Sequence, residues 1–279
     1  MTRIVHISDL HFPGIELGAA EALVEAVRGM EPDLVVVSGD LTMRGRRREF
    51  VEARAFLDRI ERPMLVVPGN HDIPVDPLRR FIRPMARFRR WISDDLTPTH
   101  VTDGMCVLGL NTARPWDLSW NWSHGRFSAA QVEEADSFFG SQASCPFRCL
   151  VMHHPFFLPE DGLKGFRIVG RATEMLRVLA RRRVDLVLAG HLHRGFWRAH
   201  EEQAEEGARH VLVVQASTAT SLRRRGEANA FNVLDFSGDS MTLTAWVRDD
   251  GAFGARGVTR FARTQVGWSA LDGPLERHG

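Results

Sequence analysis

Nowhere in these 279 residues is there an uninterrupted apolar run long enough to cross a bilayer, so no transmembrane helix is expected. Cysteine is scarce. Cys106, Cys145 and Cys149 are the only three, one stays unpaired in any pairing, and none stands at Cys-x-x-Cys spacing. That excludes a thiolate zinc site and leaves all three as small, partly buried hydrophobes. A surplus of charge is also missing: 36 basic against 35 acidic residues give a net charge of +1. Bulk electrostatics therefore gives no reason to expect a nucleic-acid polymer or an anionic membrane as partner. The opening MTRIVHISDLHF enters a strand-like pattern at once, with no basic stretch, apolar stretch and cleavage site, so no signal peptide is expected and a cytoplasmic location is. Tyrosine is absent altogether, and the chain offers no physical account of it.

What remains is ordinary for a globular chain: 44% apolar and 25% charged residues, in a length that suits one large α/β domain with at most a minor appendage. Short β-branched runs alternate with helical patterns. Strands are expected at 3–7, 34–37, 64–67, 105–110, 148–152 and 184–189, and helices at 17–30, 48–60, 129–139 and 171–181, with Ser128 as an N-cap. This alternation argues for a sheet covered by helices on both faces. Residues 73–100 break the rhythm with several Pro, an Arg-rich stretch and interleaved aromatics, and are expected to form a cap or insert. Runs at 211–215, 230–236 and 240–247 read as successive antiparallel strands. The domain is expected to span 1–262, with 263–279 a poorly ordered tail.

The informative regularity is where the metal-capable side chains fall. Asp9 and His11, Asp40, Asn70 and His71, His153, then His191 and His193 each follow directly on a hydrophobic strand. In an α/β sheet, ligands gather outside the carboxyl ends of the strands, so five strands deliver these groups to one edge. Imidazole and carboxylate together suit Zn, Fe or Mn. Asp-x-His and His-x-His put alternate side chains on one side of an extended backbone, and Asp40 could bridge two ions. Singly each motif is weak; five in order at strand ends are not.

These blocks, Asp9-x-His11, Gly39-Asp40, Gly69-Asn70-His71-Asp72, His153 and Gly190-His191-x-His193, resemble in order those of the calcineurin-like metallophosphoesterases, over about residues 4–193. The resemblance implies a four-layer α/β/β/α sandwich of two mixed β-sheets flanked by helices. It also implies two divalent or mixed-valence ions (Mn, Fe or Zn). Asp9, His11 and His193 would hold the first, Asn70, His153 and His191 the second, and Asp40 would bridge. His71 would serve as the acid at the leaving oxygen while a metal-bridging hydroxide attacks phosphorus. His153 is preferred over its neighbour because the family's His-x-Pro pattern aligns it. His154 is then second to the ligands, substrate-facing or exposed, and Asn70 and His154 are candidate substrate contacts.

Within the family, Ile-Ser-Asp-Leu-His, Gly-Asp-Leu-Thr at 39–42 and His-His-Pro at 153–155 look like bacterial class III cyclic-nucleotide phosphodiesterases and their glycerophosphodiesterase relatives. A small phosphodiester substrate is expected on that likeness, acted on by a metal-dependent phosphodiesterase, with a homodimer as the expected assembly. Two alternatives stay open. One is a pyrophosphatase of the UDP-diacylglucosamine type, with the Arg/Phe/Trp stretch 79–91 lining an acyl or membrane-surface site. The other is a scaffold on the same fold without catalysis. Trp116, Trp120 and Trp122 could stack on a base or pack as a cap.

Overall fold

The computed structural model describes residues 1–116, 123–159, 162–204, 207–223 and 226–272. Two sheets pack face to face. In the first, β1 (Thr2–Ile7), β2 (Leu34–Ser38) and β3 (Met64–Val67) run parallel. On its other side β1 pairs antiparallel with β10 (Ala230–Ser237). The sheet continues as an antiparallel meander through β11 (Ser240–Asp249), β12 (Ala252–Thr264) and β13 (Gly267–Ala270). In the second sheet, β5 (Cys106–Gly109), β6 (Arg148–Val151), β7 (Leu186–Ala189) and β9 (Gly207–Gln215) are parallel. Its antiparallel flanks are β4 (Thr99–Val101) on β5 and β8 (Phe196–Ala204) on β9. A single register pair, Gly267 with His210, joins the sheets into one continuous ladder.

The layers follow from alternation along strands that are buried on both faces. Leu34 and Val36 of β2 and Leu186 and Leu188 of β7 point into the core between the sheets. Their neighbours Val35 and Val37 point outward to α1 (Ala19–Met30) and α2 (Arg47–Asp58), and Val187 and Ala189 to α5 (Ala129–Ser141) and α6 (Ala172–Arg181). Each helix answers with one apolar face: Leu23, Val24 and Val27 on α1, and Phe50, Ala53, Phe56 and Leu57 on α2. Ser128 caps α5 reciprocally, its hydroxyl accepting from Gln131 N (3.1 Å) while Gln131 Oε1 accepts from Ser128 N (3.0 Å). The result is the four-layer α/β/β/α arrangement.

The structure departs from the sequence reading in three places. The strand at 211–215 lies in the second sheet, parallel to β7, while 230–236 lies in the first, so the two are not neighbours. Strand β8 was not expected, because its outer half, His-Glu-Glu-Gln, carries no apolar alternation and is held by pairing to β9. The expected end of the ordered fold at 262 falls inside β12. Beyond it Trp268 is fully buried among the intersheet residues, its Nε1 donating to Asp185 Oδ1 (3.0 Å), and Arg263 lies 4.7 Å above its ring. One buried aromatic holds the segment; the Gly and Arg around it hide the pattern. Segment 73–100 contains α3 (Pro77–Ile82) and α4 (Ala86–Trp91), of which Phe88 reaches the core.

Trp268→Ala is expected to lower the unfolding free energy by about 3–5 kcal/mol, as for other fully buried aromatics. Urea unfolding measures it, and a loss under about 1 kcal/mol would mean that residues 263–272 add little to the fold.

Candidate metal centre

The carboxyl ends of β1, β2, β3, β6 and β7 converge on one end of the sandwich, so the polar strand ends come from both sheets. Asp9, His11, Asp40 and His193 form one fully buried group, and His153, His154 and His191 a second. Within each group, one ligand atom per residue lies within 4.8 Å of the others. In the first, Nε2 of His11 and of His193 stand 3.0 Å apart, and Asp9 Oδ1 lies 3.6 and 3.1 Å from them. Asn70 joins the second through Oδ1, 3.1 Å from His153 Nε2. Asp40 spans the two: its Oδ2 is 3.7 Å from His11 Nε2 and 3.4 Å from His153 Nε2.

The backbone here is unlike the extended one expected for Asp-x-His. Asp9, His11, Asp40, His191 and His193 all have positive φ, from 52° to 77°, a region that non-glycine residues seldom occupy. These are five of the ten such residues described, and such conformations concentrate at functional sites. The turns succeed because neighbouring glycines leave room. A Cβ on Gly69 would overlap the Asp40 carboxylate, and one on Gly190 would overlap the Ser8 hydroxyl.

Outer hydrogen bonds set the imidazoles. His153 Nδ1 donates to Ser38 O (2.7 Å), His193 Nδ1 to Arg223 O (2.6 Å) and His71 Nδ1 to Met43 O (2.7 Å), so each ring presents Nε2 to the site. Asp9 Oδ2 accepts from Ser8 Oγ (2.6 Å) and His191 N (2.9 Å). Asp72 ties the loops after β2 and β3 together, accepting from Thr42 N, Thr42 Oγ1 and Gly69 N at 2.9–3.0 Å. Burial and the nearby Asp40 carboxylate push the Asp72 pKa up to about 7. A sixth strand end contributes support that the sequence reading missed: after β9, Thr218 Oγ1 donates to Asp9 O (2.7 Å) and Thr220 Oγ1 to Leu10 O (2.9 Å). The Ser/Thr run that follows this strand was the available signal.

Electrostatically the cluster favours a cation. Burial would lift the pKa of Asp40, but His153, His71 and His11 outweigh it and hold the carboxyl well below the usual range. Burial opposes charge on His153, yet Asp40 and Asp9 carry its ring up to about 9, whereas burial and His153 push His191 down to about 3. Asp9 Oδ1 is buried without a hydrogen-bond donor. An ionised carboxylate oxygen left so is costly, and a metal ion between it and the two Nε2 atoms would satisfy it. The donor set of imidazole, carboxylate and amide oxygen fits a borderline divalent metal.

His154 is not exposed. It is 1% accessible, with Nδ1 2.8 Å from the Thr112 hydroxyl and Gly125 packed against its ring, which leaves it behind His153 and His191. A cleft of about 290 Å³ opens onto the site, lined by Asp40, Asn70, His71, His191 and His193. Ser123, Lys164, Phe166 and Arg223 also line it and were not foreseen; His154 does not. Arg223 Nη1 lies 3.0 Å from His71 Nε2, and as guanidinium only donates, Nε2 is the acceptor in that contact. Trp116 is half exposed, while Trp120 and Trp122 lie outside the described residues.

Fold and site together define a class: an α/β/β/α protein with a strand-end cluster of imidazoles and carboxylates able to hold metal. The model of the calcineurin-like phosphoesterase family matches residues 2–195, and the chain belongs to that family. Among curated proteins it is similar to a probable cyclic nucleotide phosphodiesterase of Synechococcus, 27% identical over 205 residues, covering 69% of this chain and 74% of that protein. It is also similar to a cAMP/cGMP dual specificity phosphodiesterase of Mycobacterium tuberculosis, 26% identical over 68% of this chain and 61% of the other. A glycerophosphodiester phosphodiesterase of Enterobacter lignolyticus is 40% identical over 80 residues, only 25% of this chain and 29% of that one. Of solved structures, a purple acid phosphatase from yellow lupin seeds superposes with a TM-score of 0.68 at 14% identity, over 91% of this chain and 52% of its own, which bears on fold alone.

Gly69→Ala is expected to displace Asp40 and cut bound metal to under half that of the unaltered protein, read by elemental analysis of the purified chain. Unchanged metal content would contradict the close approach of Gly69 to the Asp40 carboxylate.

Proposed function

We propose that the protein is a metal-dependent phosphoric ester hydrolase that cleaves a small phosphodiester of the cyclic-nucleotide or glycerophosphodiester kind. The observation that carries this reading is the placement of Asp40, one carboxylate oxygen facing the imidazoles of both groups. Asp9, His11 and His193 would hold one metal, Asn70, His153 and His191 the other, and Asp40 would touch both. The ions, of the Mn, Fe or Zn type, supply Lewis acidity when bound, which acidifies a water nucleophile and offsets charge on phosphoryl oxygens. The names of the relatives support a diester over a monoester.

The chain's own residues do the rest. Arg223, which lines the cleft beside His71, would donate to a phosphoryl oxygen, as planar guanidinium does well. Released from its contact with Arg223, His71 Nε2 would take a proton from solvent and pass it to the leaving oxygen, the attacking water's proton returning to solvent, with the ring held in place by Met43 O. Asn70 bears on both metal and substrate from the same loop, and His154 acts only by backing His153 and His191. The cleft is at the small end of ligand pockets, about 300–1,000 Å³, and suits a mononucleotide or glycerol ester better than two acyl chains. A scaffold without catalysis would have no need of the six further metal-capable residues around Asp40.

Asp40→Ala is expected to abolish hydrolysis of bis(p-nitrophenyl) phosphate, and full activity in that variant would sink the reading. His71→Ala should slow turnover by about 10²–10⁴-fold with metal content unchanged. His153→Ala should lose metal from one site, and His154→Ala should retain both. The opposite result would transfer the ligand role to His154.

A further inference from the structure

Four of the large apolar side chains that stand exposed fall within eight residues: Val75, Leu78, Phe81 and Ile82. Leu78, Phe81 and Ile82, at positions i, i+3 and i+4 of α3, share one helix face and are 68%, 50% and 66% exposed. Scattered exposed apolar groups need no explanation, but a contiguous set marks a contact surface. The fold does not force it, since the next helix turns Phe88 fully inward.

The charge around this face is predominantly basic, although Arg46 and Arg48 pair with Glu49 and Glu52 of α2 and Arg79 lies 4.0 Å from Asp76. Residues 44–48 and 76–91 contain ten Arg and a single acid, Asp76, in a chain whose net charge is +1. Space joins the two stretches. Arg87 Nη1 donates to Gly45 O (2.6 Å), Val75 N donates to Arg44 O (3.3 Å), and the Arg47 guanidinium lies 5.6 Å from the Trp91 ring centre. Arg79 and Arg83 form the strip of α3 beside the apolar one, and both are exposed. Trp116, half exposed, borders the helix, because Arg80 Nη1 donates to the carbonyl of Pro115 (3.3 Å). The near-neutral total thus conceals a cationic and apolar face beside the loop that holds His71.

We propose that this face docks the protein on an anionic lipid bilayer. Leu78, Phe81 and Ile82 enter the boundary between headgroups and acyl chains, and the surrounding Arg side chains pair with lipid phosphates. Charge complementarity selects this occupant. A second copy placed by a two-fold axis would set the Arg-rich face against itself. A nucleic acid would use the Arg and the aromatic groups but has no role for exposed Leu78 and Ile82. No described helix is long and apolar enough to cross a membrane, so the attachment is to one surface.

Co-sedimentation with vesicles tests this. The unaltered protein should pellet with mixed phosphatidylcholine–phosphatidylglycerol vesicles at low salt, stay in solution with pure phosphatidylcholine, and be released by high salt. The combined Leu78→Ser, Phe81→Ser and Ile82→Ser variant should bind at least about tenfold more weakly, as should Arg79→Glu with Arg83→Glu. Melting temperature and hydrolysis of a soluble diester should stay within about twofold or a few degrees of the unaltered protein in both. The pelleting assay needs no catalysis, so it stands even if the hydrolase reading fails. Absence of binding to the anionic vesicles, or equal binding by the serine variant, overturns the proposal. So does retention on immobilised RNA that the serine substitutions leave unchanged while vesicles are ignored.

Discussion

Two carboxylates, Asp9 and Asp40, are taken wholly out of water at one end of a sandwich, and the rest of the molecule is arranged around that cost. Burying an ionised carboxylate without compensation costs several kcal/mol even after relaxation. Here the compensation is local and dense. Backbone N–H groups of His71 and His191, the Ser8 hydroxyl and three imidazoles all face the two groups. One oxygen, Asp9 Oδ1, still lacks a donor, and a cation is the partner its surroundings best accommodate.

That demand reaches outward into the fold. Donors can crowd Asp9 and Asp40 only if the chain turns sharply at each strand end, hence the run of positive φ values and the glycines whose missing Cβ lets backbone and carboxylate touch. Because β1 to β3 belong to one sheet and β6 and β7 to the other, the cluster exists only when the two sheets are packed and their ends aligned. The intersheet core, with Phe147 stacked on Phe236 at 4.0 Å, fixes that alignment. Packing far from the chemistry is in this way part of it.

Much of this was legible in the sequence, for a physical reason. Strands buried on both faces read as unbroken apolar runs, and a polar residue directly after such a run, as at Asp40 after Leu34–Ser38, marks the sheet edge where ligands gather. The turn conformations were not legible, since left-handed Asp and His depend on contacts made across the sheets. Strand β8 and the segment around Trp268 were hidden because pairing to a neighbour and one buried ring replace alternation there. Arg223 and Lys164 reach the cleft from loops that carry no pattern of their own. Net charge misled in another way. It averages over the surface, and the Arg-rich ground around α3 is balanced by acids elsewhere.

The central claim is that Asp40 stands between two metals, each held by residues from both sheets of the sandwich. Anomalous scattering from crystals grown with manganese, collected near its absorption edge, addresses it directly. The account predicts two peaks flanking Asp40, one among Asp9, His11 and His193 and the other among Asn70, His153 and His191. A single peak, or a second one placed away from Asp40, would contradict it.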